Sequence, residues 1–149
     1  MLETWIPRLG VRGVVVLDDD AARSPLARAA MTLCVPPELP VRIETVGELD
    51  AAGLAALPEP VLLLLRDVAS LVEATRHGLT PATAPRLNLG NIHYASGRKP
   101  VTPSVFLTEV ELGQLQALQA AGFHVEARAI PSDAPVGLDA LARKFATAK

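Results

Sequence analysis

Short aliphatic runs alternate with amphipathic stretches along this chain, and that alternation restricts the fold more than any single motif does. "VVVL" at Val14–Leu17 reads as a buried strand, Val41–Val46 as a second and Val61–Leu65 as a third. The third is hydrophobic without alternation, the pattern of a parallel strand covered on both faces. Helix patterns lie between. Ser24-Pro25 starts one, with proline at the first helical position. Leu26, Ala29, Ala30 and Leu33 follow at helical spacing until Pro36-Pro37. Glu48–Leu57 reads as a short Ala/Leu helix. Asp67 caps a helix carrying Val68, Leu71, Val72 and Thr75 on one face, and Gly78 ends it. Arg86–Gly90 and Val105–Leu107 read as strands on either side of the loop Asn91–Pro100. Thr108 with Glu111 forms a capping box for a helix burying Leu112, Leu115 and Leu118, which Gly122 terminates. Phe123, Val125, Ala127 and Ala129 alternate with His124, Glu126 and Arg128, a strand with one wet face. Leu138, Leu141, Ala142 and Phe145 mark a last helix. Alternation of this kind specifies an α/β fold: a doubly wound, mostly parallel sheet with helices on both faces.

Its 149 residues fit one domain, 1–149, without repeat or linker. Half are hydrophobic and only 3% aromatic, so the core is aliphatic. A net charge of −2, with both signs interspersed, leaves no basic face for nucleic acid. Cys34 is the single cysteine, which excludes a disulfide framework and a thiolate metal cluster. On a helix among apolar residues it is expected to be inert. Val61–Leu65 is too short to cross a bilayer, and no basic start followed by an apolar stretch suggests a signal peptide. A cytoplasmic protein is expected.

In doubly wound sheets ligands sit beyond the carboxyl ends of the strands. That selects Asp18–Asp20, Arg66-Asp67, Asn88–Lys99 and Pro131–Asp133. The three aspartates could hold a divalent cation through oxygen ligands, but as strand-end residues leading into a helix they need no ion, and no second acidic cluster completes a shell. "LNLGNIHYASGRKP" gathers Asn, Gly, His, Ser, Arg and Lys in one loop. Its glycines can bring backbone N–H groups to an anion, and Arg98 and Lys99 can add charge. A glycine-bent surface loop would have the same composition. His93 could act as nucleophile or base, the roles to which an imidazole side chain is suited, although a lone loop histidine is more often a polar contact. His77 falls in a helix's last turn, where a cation offsets the dipole, and His124 on a wet strand face; both read as structural. Dinucleotide, P-loop, nucleophile-elbow and zincin signatures are absent.

Taken together, "VVVLDDDAARSPLARAAMTLCVPP", "VLLLLRDVASLVEATRHG", "LNLGNIHYASGRKPVTPSVFLTEVE" and "AAGFHVEARAIPSDAPVGL" resemble, in order, the IIB component of the mannose/fructose/sorbose family of the bacterial sugar phosphotransferase system. The Asn-x-Gly-Asn-Ile-His loop and the "IPSDAP" ending are the more specific pieces. The resemblance implies a phosphoryl-transfer protein without a cofactor. It would accept phosphate from a phosphohistidine on the IIA component and pass it to the sugar translocated by the membrane components IIC and IID. It would therefore work at the inner face of the membrane. A neutral imidazole nitrogen is a competent nucleophile, and phosphoimidazole a good donor. Asp19, Arg66, Asn88, Gly90, Asn91, His93 and Ser132 are the candidate phosphate-site neighbours; no metal ligand is expected, and a homo-oligomer remains open.

One part of the family pattern is missing. The family's phospho-accepting histidine lies in an Asp-Arg-Leu-x-His-Gly-Gln-Val motif between its first strand and first helix, and this chain has nothing like it. Met1 aligns with the motif's Val, and "LETWIPRLG" continues the family's first helix. Leu2–Leu9 accordingly reads as the last turns of a helix with no cap before it. The expectation is a domain truncated at its N-terminus, lacking its first central strand and hence prone to aggregate or obliged to close a gap in the sheet. In-frame DNA upstream of Met1 tests this; a stop codon directly before it, with no such motif, refutes it. Two other readings compete. A histidine-less regulatory relative would bind the partners without passing phosphate. A response-regulator receiver would explain "VVVLDDD" and Lys99-Pro100, but Arg66 occupies the place of its phospho-accepting aspartate, and Lys99 comes one βα unit too early.

Overall fold

In the computed structural model, which describes residues 2–149, Val14–Leu17 forms β1, Val41–Glu44 β2 and Leu62–Leu65 β3. All pair in parallel in the order β2-β1-β3. They belong to the first of two compact units, Met1–Thr83 and Ala84–Lys149. β1 has a partner on each side, and Val14, Val15 and Leu17 are the most deeply enclosed side chains of the sheet, with Val16 partly buried. Full burial of such a side chain contributes roughly 1.5–3 kcal/mol. Helices α1 (Leu2–Leu9), α2 (Asp19–Arg23), α3 (Pro25–Leu33), α4 (Ala51–Ala55) and α5 (Val68–Arg76) complete the unit. Ile6 of α1 joins Val11, Val14 and Val35 in one apolar cluster.

The sequence places the first unit's elements well and some of their ends poorly. The segment after β1 is two helices where one was expected. Asp18 caps α2 by accepting from the Asp20 and Ala21 N–H groups, and Ser24 caps α3 by accepting from the Ala27 N–H. β2 stops at Glu44 rather than Val46, because Thr45 and Glu48 form a capping box that curls Val46–Glu48 into a 3-10 turn. Asp50 then starts α4 by accepting from the Gly53 N–H, so Glu48–Leu57 is no single helix. Cys34 is a correction. It ends α3 in solvent, not among apolar neighbours, and α3 buries none of its residues. Leu26 and Leu33 are 81% and 86% exposed. The side of α3 turned inward carries the smaller Ala27 and the half-buried Met31.

The second unit holds β4 (Arg86–Leu89), β5 (Lys99–Thr102), β6 (Val105–Leu107), α6 (Glu109–Ala120), β7 (His124–Ala127), β8 (Val136–Gly137) and α7 (Leu138–Thr147). β4 and β7 pair in parallel, β8 adds antiparallel to β7, and β5-β6 is a separate antiparallel hairpin. Leu107, Leu115, Leu138 and Leu141 are its largest fully enclosed side chains, joined by Val105 and Val125. The predicted capping box at Thr108 and Glu111 is present, as is the alternation of β7, with Val125 and Ala127 inside. Gly122, at φ 114°, takes a left-handed turn that only glycine adopts without strain. Among the described residues, β3 and β4 are each hydrogen-bonded to a strand on one side only. The expected α/β class, with helices flanking a parallel sheet, is the fold observed.

Candidate functional site

In the first unit, strand register decides which loop residues meet. Leu17 of β1 stands opposite both Leu65 of β3 and Glu44 of β2, so Asp18, Arg66 and Thr45 emerge side by side. Arg66 Nε donates to Asp18 Oδ2 at 3.0 Å and its NH2 to Asp18 Oδ1 at 2.9 Å. Its NH1 donates to Asp20 Oδ2 at 2.9 Å. Hydrogen bonding to Asp20, the Asp18 charge and hydrogen bonding to Asp18 raise the Arg66 guanidinium above the ordinary arginine value. Asp19 points elsewhere, accepting from the Val46 N–H at 2.8 Å, and so ties α2 to the 3-10 turn. A cleft of about 260 Å³ lies here, lined among others by Asp18, Asp19, Asp20, Arg66 and Asp67. Carboxylates outnumber the guanidinium, which is already engaged; the cleft is acidic. Of the candidates, Asp19 and Arg66 are thus brought to one cleft.

In the second unit, Asn88 of β4 clamps the end of β7. Its Nδ2 donates to the Arg128 carbonyl at 3.1 Å, and its Oδ1 accepts the Arg128 N–H at 3.0 Å. Gly90 and Asn91 follow at the carboxyl end of β4, and Ile92 anchors the loop: its N–H donates to the Ser104 carbonyl and its carbonyl accepts from the Phe106 N–H. Beyond this anchor the His93 and Tyr94 side chains are exposed. Ser132 is exposed in the turn that the Ile130–Asp133 hydrogen bonds close. Asn88, Gly90, Asn91 and His93 therefore share one strand end and its loop, and Asn88 touches the connection that leads to Ser132.

The two loop cations expected to add charge are committed elsewhere. Arg98 makes a paired contact with Glu111, Nε to Oε2 at 3.2 Å and NH2 to Oε1 at 2.7 Å, while its NH1 donates to the His93 carbonyl at 2.9 Å. Glu111 Oε2 also accepts from the Thr108 N–H at 2.8 Å. Burial pushes the Glu111 carboxyl up, but hydrogen bonds from Arg98 and Thr108 outweigh it and hold the group below its ordinary value. Lys99 Nζ lies 5.2 Å from the centroid of the Phe145 ring, a cation–π distance. His77 contacts Glu73, and His124 contacts Glu126, as surface residues do.

Sequence reasoning overlooked Arg28 and Glu111. Arg28 NH1 donates to the carbonyls of Ala22 and Ile43, beside a cavity of about 700 Å³ that Arg23, Arg42, Glu44 and Glu48 also line. Nothing in helix periodicity announces that contact. Glu111 was legible as a cap, not as the anchor of a loop thirteen residues earlier in sequence.

Residues 2–149 match the family model for the PTS system sorbose subfamily IIB component. The chain is 26% identical over 139 residues to the PTS system fructose-specific EIIB component of Bacillus subtilis, a match covering 90% of this chain and 82% of that protein. It is 24% identical over 135 residues to the N-acetylgalactosamine-specific phosphotransferase enzyme IIB component 2 of Escherichia coli, covering 90% and 84%. The fold is that of the IIBSor domain of the sorbose permease from Klebsiella pneumoniae, with a TM-score of 0.81 at 20% identity over 95% of this chain and 86% of that one.

Proposed function

The chain belongs to the PTS sorbose-subfamily IIB components, and from that premise we propose that it is the phosphoryl-relay subunit of a bacterial sugar phosphotransferase system. Phosphate arrives from a phosphohistidine on the IIA component and leaves to a sugar of the mannose, fructose or sorbose type brought through the membrane components IIC and IID. The family match across residues 2–149 carries this reading. The relay operates in the cytoplasm, against the inner face of the membrane. Among the described residues no helix is long and apolar enough to cross a membrane.

In each transfer the bond from phosphorus to the donor nitrogen breaks as one to the acceptor forms, and the three equatorial oxygens need donors around them. Asn88, Gly90, Asn91, His93 and Ser132, at the strand ends and loops of the second unit, are the neighbours we assign to that phosphate. Their positions beyond strand carboxyl ends support the assignment. The acceptor motif that the family resemblance implies is not among these 149 residues, and His93 is read as a loop contact rather than a substitute.

Incubation with radiolabelled phosphorylated IIA tests the proposal. The 149-residue chain should bind the donor without retaining acid-labile label, and a version carrying the Asp-Arg-Leu-x-His-Gly-Gln-Val motif ahead of Leu2 should retain it. If both versions bind and neither is labelled, a regulatory component that docks without carrying phosphate is the better reading. No binding by either version sinks both.

A further inference from the structure

We propose that Arg98 is a positioning residue: its guanidinium, anchored on Glu111, latches the 91–98 loop to the start of α6 and so presents the His93-Tyr94 tip in one conformation to the phosphorylated partner. This rests on the relay reading above and deepens it, because it assigns a device that holds the candidate loop.

Three observations carry the latch. First, one side chain joins three places: the loop's own backbone at the His93 carbonyl, the loop's C-terminal end, where Arg98 itself sits, and the helix through Glu111. Second, the pair is enclosed, with side-chain exposures of 18% for Arg98 and 15% for Glu111. Removed from bulk water, a forked two-point contact is stronger and geometrically stricter than a surface ion pair. Third, Glu111 is fixed from the other side. Its carboxylate accepts from the Thr108 N–H, and its own N–H donates to Thr108 Oγ1 at 3.0 Å. The anchor cannot swing without uncapping α6. The tip itself stands in solvent: the Tyr94 ring is 70% exposed and meets the edge of Phe106, at 5.9 Å between centroids and 80° between planes. Lysine could not replace Arg98, since a point-like ammonium lacks the planar fork that spans two carboxylate oxygens and a carbonyl together.

Tyr94 is the chain's only tyrosine, so fluorotyrosine labelling gives one fluorine resonance that reports on the loop tip. In the unaltered chain it should lie away from the free amino acid, shifted by the Phe106 ring. Two variants open the latch by different routes. Arg98→Lys keeps the charge, and Glu111→Gln keeps a side chain able to close the capping box. Well below their melting temperatures, both should move the line toward the free position, and both should weaken binding to phosphorylated IIA at least tenfold. A general loss of stability would lower the melting temperature and leave the line in place. A line unmoved in two folded variants overturns the latch. A moved line with unchanged affinity overturns its role toward the partner. Absence of binding by both the unaltered chain and the motif-carrying version instead overturns the relay reading, and the fluorine line then judges the latch alone.

Discussion

Two arginine–carboxylate contacts of nearly identical geometry occur in this chain, and their surroundings give them different meanings. Arg66 forks onto Asp18 at the carboxyl end of the first unit's sheet; Arg98 forks onto Glu111 at the start of α6. Arg66 is 51% exposed, whereas Arg98 is 18% exposed. Water and salt compete for the first pair and reach the second only in part. Neighbourhood differs as well. Arg66 stands among an excess of carboxylates, which neutralise it and repel any anion. Arg98 meets the Glu111 carboxylate and the His93 backbone carbonyl. The lesson is that pairing alone does not show whether an arginine fastens a structure; enclosure and the identity of the third contact do.

Removing the enclosed anchor should have the largest effect. Glu111→Ala leaves Arg98 with its charge half-buried and α6 without its box, and should cost about 2–3 kcal/mol in denaturant unfolding. Its pH dependence follows from the depressed carboxyl. The unfolded chain protonates first, so the stabilisation is fully present above the ordinary glutamate value of about 4.3 and is lost as pH falls through the lower folded value. The variant should thus lose its deficit relative to the unaltered chain in acid; a deficit constant from neutral pH downwards would show that the pair's charge is not the source.

Asp18→Ala should come next, at about 1–2 kcal/mol, because it removes the cap of α2 while Arg66 can turn to water. An effect equal to that of Glu111→Ala would erase the distinction between the two pairs. Arg66→Met should be the mildest. It exposes Asp18, Asp20 and Asp67 to one another, and most of its melting-temperature deficit should close between low salt and about 1 M, where charges are screened beyond roughly 3 Å. A deficit indifferent to salt would mean that Arg66 acts by packing and not by charge.

Local chemistry was legible in the sequence, and long-range pairing was not. Asp67, Thr108 and Glu111 announce their caps because capping is settled within three residues. β7 announces itself because one wet face forces alternation. β5 escaped detection: Lys99–Thr102 contains Pro100, a poor strand residue, and is held as a hairpin by β6 through a register shift. β8 spans only Val136–Gly137 and exists by docking on β7. For the site, the four strand-end loops were readable from topology, since a parallel sheet aligns its carboxyl ends. The commitments of Arg98, Lys99 and Arg66 were not, because a cation's partner is chosen by the fold and not by its neighbours in sequence.

The division of the chain into two units has an optical consequence. The single tryptophan, Trp5, belongs to the first unit and the single tyrosine to the second, so indole and phenol bands mark separate halves without any label. Indole fluorescence excited at the long-wavelength edge, where phenol does not absorb, therefore follows the first half alone through a melt, while far-ultraviolet circular dichroism follows both halves together. Coinciding midpoints would define one cooperative transition, and staggered midpoints would rank the halves by thermal resistance.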